Sequence, residues 1–389
     1  MLRSLYSGIS GLRAHQTMLD VTGNNIANVN TAGFKSSTTQ FQDTLSQMTQ
    51  GASAPQGQTG GSNPAQIGLG VRVAGVSTNF SQGSSQSTGR ATDMMISGDG
   101  FFITNKGGQQ LFTRAGSMTF DANSQLVSPD GGILQGWTAN GGTVDPAGPI
   151  GNITLNPNTM VATATKKVTL DGNLPSDAAD GTSLQRVVKV YDPSGAESTL
   201  TLNFSFDKTA GQWNVADGAT PIGSMTFSAD GKLSSPGTLT TAGGLTVDVS
   251  KVSGYATMNS LTVAGQDGAP VGKLESFTLG NDGSLIGSFS NGTKQVLAKI
   301  ALAKFTNPAG LEKAGGSSYV ATANSGNVQL GAAGDPGIGT LAGGSLEMSN
   351  VDLSQEFTNL IVAQRGFQAN ARIITTSDEV LQELTQLKR

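Results

Sequence analysis

Apolar residues recur at alternating steps of three and four at both ends of this chain, and between those ends the pattern changes to a period of two. At the N-terminus the seam runs Leu2, Leu5, Ile9, Leu12, Leu19 and Ile26, with Gln16 and Gly23 at the remaining positions. Such spacing lines one narrow stripe of a helix, the signature of a coiled-coil-like pairing face. Gly8, Gly11 and Gly23 each weaken that helix by about 1 kcal/mol relative to Ala, so it needs a partner helix. The C-terminus supplies one: Leu353, Phe357, Leu360, Phe367, Ile374 and Leu381, with Gln364, Ala371 and Asp378 completing the spacing. Ser349, three residues before Asp352, reads as a capping-box-like start. Asp352 and Glu356 fall near the beginning and Lys388 and Arg389 at the end, an order that suits the helix dipole. A helix over about 352–387 would be roughly 54 Å long at 1.5 Å per residue, which favours a coiled coil over a helix wrapped into a small core.

The middle alternates. Leu200, Leu202, Phe204 and Phe206 are separated by Thr201, Asn203 and Ser205, and Val296, Ala298, Ile300 and Leu302 form a second alternating face. Asp-Gly and Asn-Gly pairs punctuate the region, among them Asp130-Gly131, Asp217-Gly218, Asp230-Gly231 and Asn291-Gly292, and they predict type I′ hairpin turns. The pattern Phe120…Leu126, Phe227…Leu233 and Phe277…Leu285, each with a polar turn inside, reads as repeated hairpins. The fold class is therefore multidomain α+β: N- and C-terminal helices paired as a coiled coil, with mainly-β body domains between them. Composition places the boundaries: 1–48, N-terminal helix and following segment; 49–69, linker; 70–145 plus 276–330, inner β-rich domain; 146–275, inserted outer β-rich domain; 331–345, linker; 346–389, C-terminal helix.

Composition excludes several chemistries. The net charge is −4 with no basic stripe, which argues against nucleic-acid binding. There is no Cys and a single His, His15, so thiol nucleophiles, zinc-thiolate sites and His-based metal clusters are out. His15 lies off the apolar seam with no acid or nucleophile constellation around it. Gly98-Asp99-Gly100 lacks the Lys and following helix of a phosphate loop and reads as a β-turn, and no calcium-loop series appears. No cofactor, metal site or catalytic residue is expected. No apolar run approaches a membrane span and the first twenty residues lack a signal-peptide core, so no membrane insertion is expected, and any export proceeds without a cleaved signal.

Residues 19–35 read LDVTGNNIANVNTAGFK, and Asn24, Asn25, Ile26, Ala27 and Asn28, then Thr31, Gly33 and Phe34, resemble the N-terminal signature of flagellar rod and hook proteins. Residues 93–104 (DMMISGDGFFIT), 112–127 (FTRAGSMTFDANSQLV) and 346–370 (LEMSNVDLSQEFTNLIVAQRGFQAN) resemble further motifs of that axial family, in the same order. Hook proteins of the family carry an inserted outer domain that distal rod proteins lack, so the segment 146–275 favours the hook branch. The resemblance implies a structural, non-enzymatic protomer whose terminal helices form an inner coiled coil. Its copies build a flexible curved tube around a central export channel and pass motor torque from rod to filament as a universal joint. It further implies an extracellular location on the bacterial flagellum. The implied partners are other copies of the chain, rod and hook-filament junction proteins, the hook cap and the flagellar export apparatus. Phe41 and Leu45 have the Phe-x-x-x-hydrophobic spacing that resembles the export-gate recognition motif of rod and hook substrates. The alternatives are a distal rod-type axial protein and an extracellular β-rich adhesin.

Overall fold

The computed structural model describes residues 2–55, 57, 60–156 and 159–386. It is mainly β, with long helices at the two ends: α1, Leu2–Ala27, and α2, Leu353–Gln386. The chain divides into two compact units. The first comprises Met1–Thr154, Thr278–Leu285 and Val296–Arg389; the second comprises Leu155–Phe277 and Ile286–Gln295. Both helices cluster with the β-rich body in the first unit, where the sequence alone set them apart from it.

In the first unit the chain leaves α1 into a β-ribbon. Strand β1 (Ser37–Asp43) is followed by a short hairpin of β2 (Ser46–Gln50) and β3 (Ala65–Gly68), and β4 (Val71–Thr78) returns antiparallel to β1 with a register shift at Gln40/Phe41. The expected linker 49–69 is thus partly paired backbone: Gln50 faces Ala65 and Ser53 bridges Ser62. Its polar composition reads as a linker, but a strand ladder is made by backbone groups and needs no apolar side chain. The second expected linker, 331–345, differs in the same way. Gln329–Ala332 pairs with Lys294–Lys304, Thr340–Gly343 with Met94–Ser97, and Ser345–Glu347 with Ser85–Ser87. Its small residues are core material here, since Ala332, Ala333 and Leu341 are buried.

The body sheet of this unit runs in the order Lys294–Lys304, Ile133–Thr138, Phe101–Lys106, Gln109–Thr113, Ser318–Val320, Glu312–Gly315. Its core packs Phe101, Phe112, Trp137, Phe305 and Tyr319, with the Phe112 and Phe305 rings edge to face at 4.8 Å. The strand carrying Ala298, Ile300 and Leu302 is covered on both faces near its end, because Ala301 and Ala303 are buried as well.

The second unit has two four-stranded sheets around one core. One runs Thr238–Thr240, Thr246–Ser253, Lys167–Asn173, Thr262–Gln266; the other runs Ser183–Tyr191, Glu197–Asp207, Gln212–Asp217, Thr220–Thr226. The alternation at 200–206 acts as read: Leu200, Leu202, Phe204 and Phe206 face the core beside Trp213, each large side chain contributing about 1.5–3 kcal/mol by burial. At Asp217 and Thr220, a directly opposed pair, only Gly218 of the turn has positive φ (+59°). That is a type II′ pattern, with Gly first, in place of the expected type I′. Phe227 opposes Leu233 and Phe120 opposes Leu126, so these two Phe…Leu repeats are cross-strand pairs.

Candidate functional site: the terminal helices and their anchor

The two helices meet along small residues. A Cβ added to Gly8 would lie 3.4 Å from Cγ2 of Ile373, one on Gly11 2.6 Å from Oδ1 of Asn370, and one on Gly366 2.5 Å from the His15 ring. Asn25 Nδ2 donates to Oε1 of buried Glu356 at 3.0 Å. Each step forward on α1 is matched by an equal step back on α2, so the helices run antiparallel. The face of α1 turned to α2 is Gly8, Gly11, His15, Thr22 and Asn25, spaced by three, four and seven: a heptad pattern one residue before the apolar seam. On α2 the contacting positions Glu356, Gly366 and Asn370, with buried Ala363 in the same row, likewise precede the apolar seam by one. One residue is about 100° around a helix, so the apolar stripes flank the line of closest approach, and Ile374 of the α2 stripe reaches it, its Cγ1 3.5 Å from a Cβ built on Gly8.

Exposure agrees. Ile9, Leu353 and Phe357 are exposed, while Leu5, Leu12, Leu19, Ile26, Leu360, Phe367, Ile374 and Leu381 are half-buried. The Leu2 side chain, and Lys388 and Arg389, lie outside the described residues. Tyr6, Ile361 and Val362 extend the uncovered apolar surface. Gly8 and Gly11, two of the three glycines that weaken α1 as an isolated helix, are where the backbones approach. His15, off the seam by sequence, packs on Gly366 and lies 6.0 Å from the Phe41 ring, with its buried Nδ1 unpaired among the described residues.

The cap of α2 differs from the expected box. Asp352 itself accepts from the backbone N–H of Ser354 (2.9 Å) and Gln355 (3.2 Å), whereas Ser349 Oγ accepts from Val351 N–H. Asp352 is close enough to be the N-cap, which satisfies donors of the first turn directly.

The signature residues anchor the helix ends to the body. Asn25 accepts from Ser37 N–H and donates to the Ser37 carbonyl, joining α1 to the start of β1. Asn28 Nδ2 donates to the Asn24 carbonyl and Thr31 Oγ1 donates to Asn28 Oδ1, tightening the exit from α1, which ends at Ala27. Gly33 has φ +68°, its N–H donates to the Glu347 carbonyl, and an added Cβ would strike the backbone of Ala115. Lys313 Nζ lies 5.5 Å from the centre of the Phe34 ring. Asn24, Asn28, Thr31 and Phe34 line a cavity of about 610 Å³. Phe41 sits exposed at the register shift of β1, and Leu45, 86% exposed, lies in the connection to β2.

Sequence reasoning missed the centre of this anchor. Lys35 follows the signature directly, and its Nζ lies 2.6 Å from Glu347 Oε1 and donates to the Ser81 carbonyl at 2.7 Å. Arg114 Nη1 lies 3.3 Å from Glu347 Oε2, and Gly83 N–H donates to Glu347 Oε1. Lys35 and Glu347 are fully buried. Burial pushes the Lys35 ammonium and the Arg114 guanidinium below their usual ranges, with Glu347 pulling both back. One carboxylate thus ties the exit of α1, the approach to α2 and a body strand together. The available signal was charge in a charge-poor chain: Lys35 and Glu347 each stand next to the resembled motifs or inside them. Among the described residues no three His, Cys, Asp or Glu side chains group as metal ligands, and no helix is long and apolar enough to cross a membrane.

Family models match in three places. Residues 5–35 match the flagella basal body rod protein model, 95–174 the flagellar hook protein FlgE/F/G D1 domain, and 342–387 the flagellar basal body rod FlgEFG protein C-terminal model. The chain is 39% identical over 445 aligned residues to the flagellar hook protein FlgE of Borreliella burgdorferi, covering 100% of both chains. It is 36% identical to the flagellar hook protein FlgE of Treponema pallidum, again covering 100% of both. The flagellar basal-body rod protein FlgG of Bacillus subtilis is 34% identical with the same full coverage. A helix pair built on small residues, an apolar stripe beside it, and full-length similarity to hook subunits together place this chain in the flagellar hook protein FlgE family.

Proposed function

We propose that this chain is the structural protomer of a bacterial flagellar hook, polymerising into a curved helical tube that carries torque from rod to filament around a central export channel. The observation that carries the reading is the pair of apolar stripes left partly uncovered, with Ile9, Leu353 and Phe357 exposed. Each terminal helix keeps a heptad-spaced row of Leu, Ile and Phe flanking its contact with the other helix, and that contact leaves the row only half covered. Such rows are what neighbouring copies need to build a continuous helical layer. In that layer the terminal helices pair as a coiled coil, residues 146–275 form an outer domain, and the polymer lies outside the cell. Rod and hook-filament junction proteins, the hook cap and the export apparatus are its further partners, with Phe41 and Leu45 exposed for export-gate recognition.

The test is polymerisation of purified chain. Phe357→Ser with Ile361→Ser alters two side chains that are 48% and 56% exposed, so folding changes little. Helical circular dichroism is expected to stay at the unsubstituted level while sedimentable polymer disappears. Polymer formed at the unsubstituted critical concentration would remove the reading. A rod-type protomer is the second reading, supported by the full-length similarity to the Bacillus subtilis rod protein.

A further inference from the structure

On the side of α1 turned away from α2, a groove of about 400 Å³ opens between α1 and β4. Tyr6, Ile9, Thr17 and Val73 form its walls, with Tyr6 68% and Ile9 39% exposed, and Arg13 and Arg72 stand on its rim. Ser10 Oγ accepts from Val71 N–H at 3.2 Å and so fixes β4 against the helix. Arg72 donates to Gln42 Oε1, and neither arginine has a carboxylate partner among the described residues. An apolar trough with two unpaired guanidinium groups suits an amphipathic helix whose polar edge is acidic.

The end of α2 has that chemistry. Between Arg372 and Lys388 the sequence holds no basic residue, but Asp378, Glu379 and Glu383 flank Val380 and Leu381. Val380 is 39% exposed, and Glu379 and Glu383, four apart on one helix face, are exposed. Within the described helix, which ends at Gln386, the last turn holds no basic residue, and carboxylates near a helix C-terminus gain from a cation that meets them. With Gly8 against Ile373, the antiparallel register carries α2 beyond the first residue of α1.

We infer that the groove between α1 and β4 receives the acidic final turns of α2 from a second copy of this chain, Glu379 and Glu383 meeting Arg13 and Arg72 around Val380. The chain's own α2 cannot do this. It occupies the Gly8–Gly11–His15 face, whereas Tyr6, Arg13 and Thr17 lie roughly half a turn away around α1. Groove and occupant are different surfaces of one protomer, so the contact is head-to-tail, the kind that propagates into an open helical filament when its rotation does not close a ring. The inference rests on the polymer reading above and adds the contact and its direction.

The test uses the full chain, followed by sedimentation. Arg13→Glu with Arg72→Glu is expected to raise the critical concentration for polymer at least tenfold, and Glu379→Lys with Glu383→Lys likewise. All four changes in one chain are expected to restore polymer to within threefold of the unsubstituted protein. Because the chain has no cysteine, Thr17→Cys with Gln382→Cys gives a clean disulfide test. Ladders of dimers, trimers and longer species are expected from polymer under oxidation. Unsubstituted protein that never polymerises would overturn the protomer reading. Unsubstituted polymer with reversals that change nothing, a quadruple variant that fails to recover, or a disulfide confined to single chains would overturn the groove contact alone.

Discussion

Replacing Gly366 by Ala tests whether close backbone approach holds the two helices. In an isolated helix the change stabilises by about 1 kcal/mol, because Ala has the higher helix propensity. Here the new Cβ would sit 2.5 Å from both Cε1 and Nε2 of His15 and 2.8 Å from Nδ1, closer than carbon atoms pack. Moving the imidazole also disturbs its contact with the Phe41 ring, whose centroid is 6.0 Å away. Overpacking of this kind costs about 1–3 kcal/mol, so the net effect is a destabilisation of about 1 kcal/mol once the propensity gain is subtracted. Gly23 is the internal control: nothing lies within 4 Å of a Cβ built there, and Gly23→Ala is expected to stabilise by about 1 kcal/mol. The assay is urea unfolding of polymerised protein followed by helical circular dichroism, with the same titration on unpolymerised chain. His15→Ala combined with Gly366→Ala is expected to recover most of the loss, the coupling expected of residues in contact. Equal stabilisation by Gly366→Ala and Gly23→Ala, or no recovery in the double variant, would refute the argument.

Three further outcomes follow from charge and burial. Glu347→Gln leaves Lys35 and Arg114 buried without their carboxylate and is expected to destabilise the first unit by about 3–5 kcal/mol in urea unfolding. Asp248, held at a pKa of about 2 chiefly by its hydrogen bond from Lys167 and then by Ser250, contributes stability that is fully present above about pH 4. That contribution is lost as pH falls towards 2, and because Lys167 is half exposed it amounts to roughly 1 kcal/mol; Asp248→Asn should flatten this acid limb in denaturation measured between pH 2 and 5. Tyr319, whose hydroxyl burial pushes up to about 12, withholds its proton beyond the range where the unfolded chain releases it. Stability is therefore expected to fall as pH rises from about 10 towards 12, with Tyr319→Phe removing that component and the last tyrosinate absorbance step.

Much of the architecture is legible because it is written in periodic apolar residues. The three-and-four spacing locates both terminal helices, and the alternation at Leu200–Phe206 locates a core strand of the second unit. The contact face between the helices is not legible in the same way. It is made of Gly8, Gly11, Gly366 and Asn25, whose contribution is the absence of a side chain or a single hydrogen bond, and hydropathy is silent about both. The apolar stripe one residue further on dominates the pattern although it only flanks the closest approach and stays mostly half-buried. Strands in 46–68 and 329–347 escape notice for a related reason: their ladders are formed by the backbone of Ser, Gln, Thr, Gly and Ala. The Lys35–Glu347–Arg114 anchor joins positions from three distant parts of the chain, and no local window holds more than one of them.

The most direct test of the protomer account is to label isolated hook–basal bodies with antibody raised against residues 155–277 and locate it by electron microscopy. The account predicts label along the curved segment outside the cell, over its outer surface. Label confined to the straight rod, or absent from every axial structure, would contradict it.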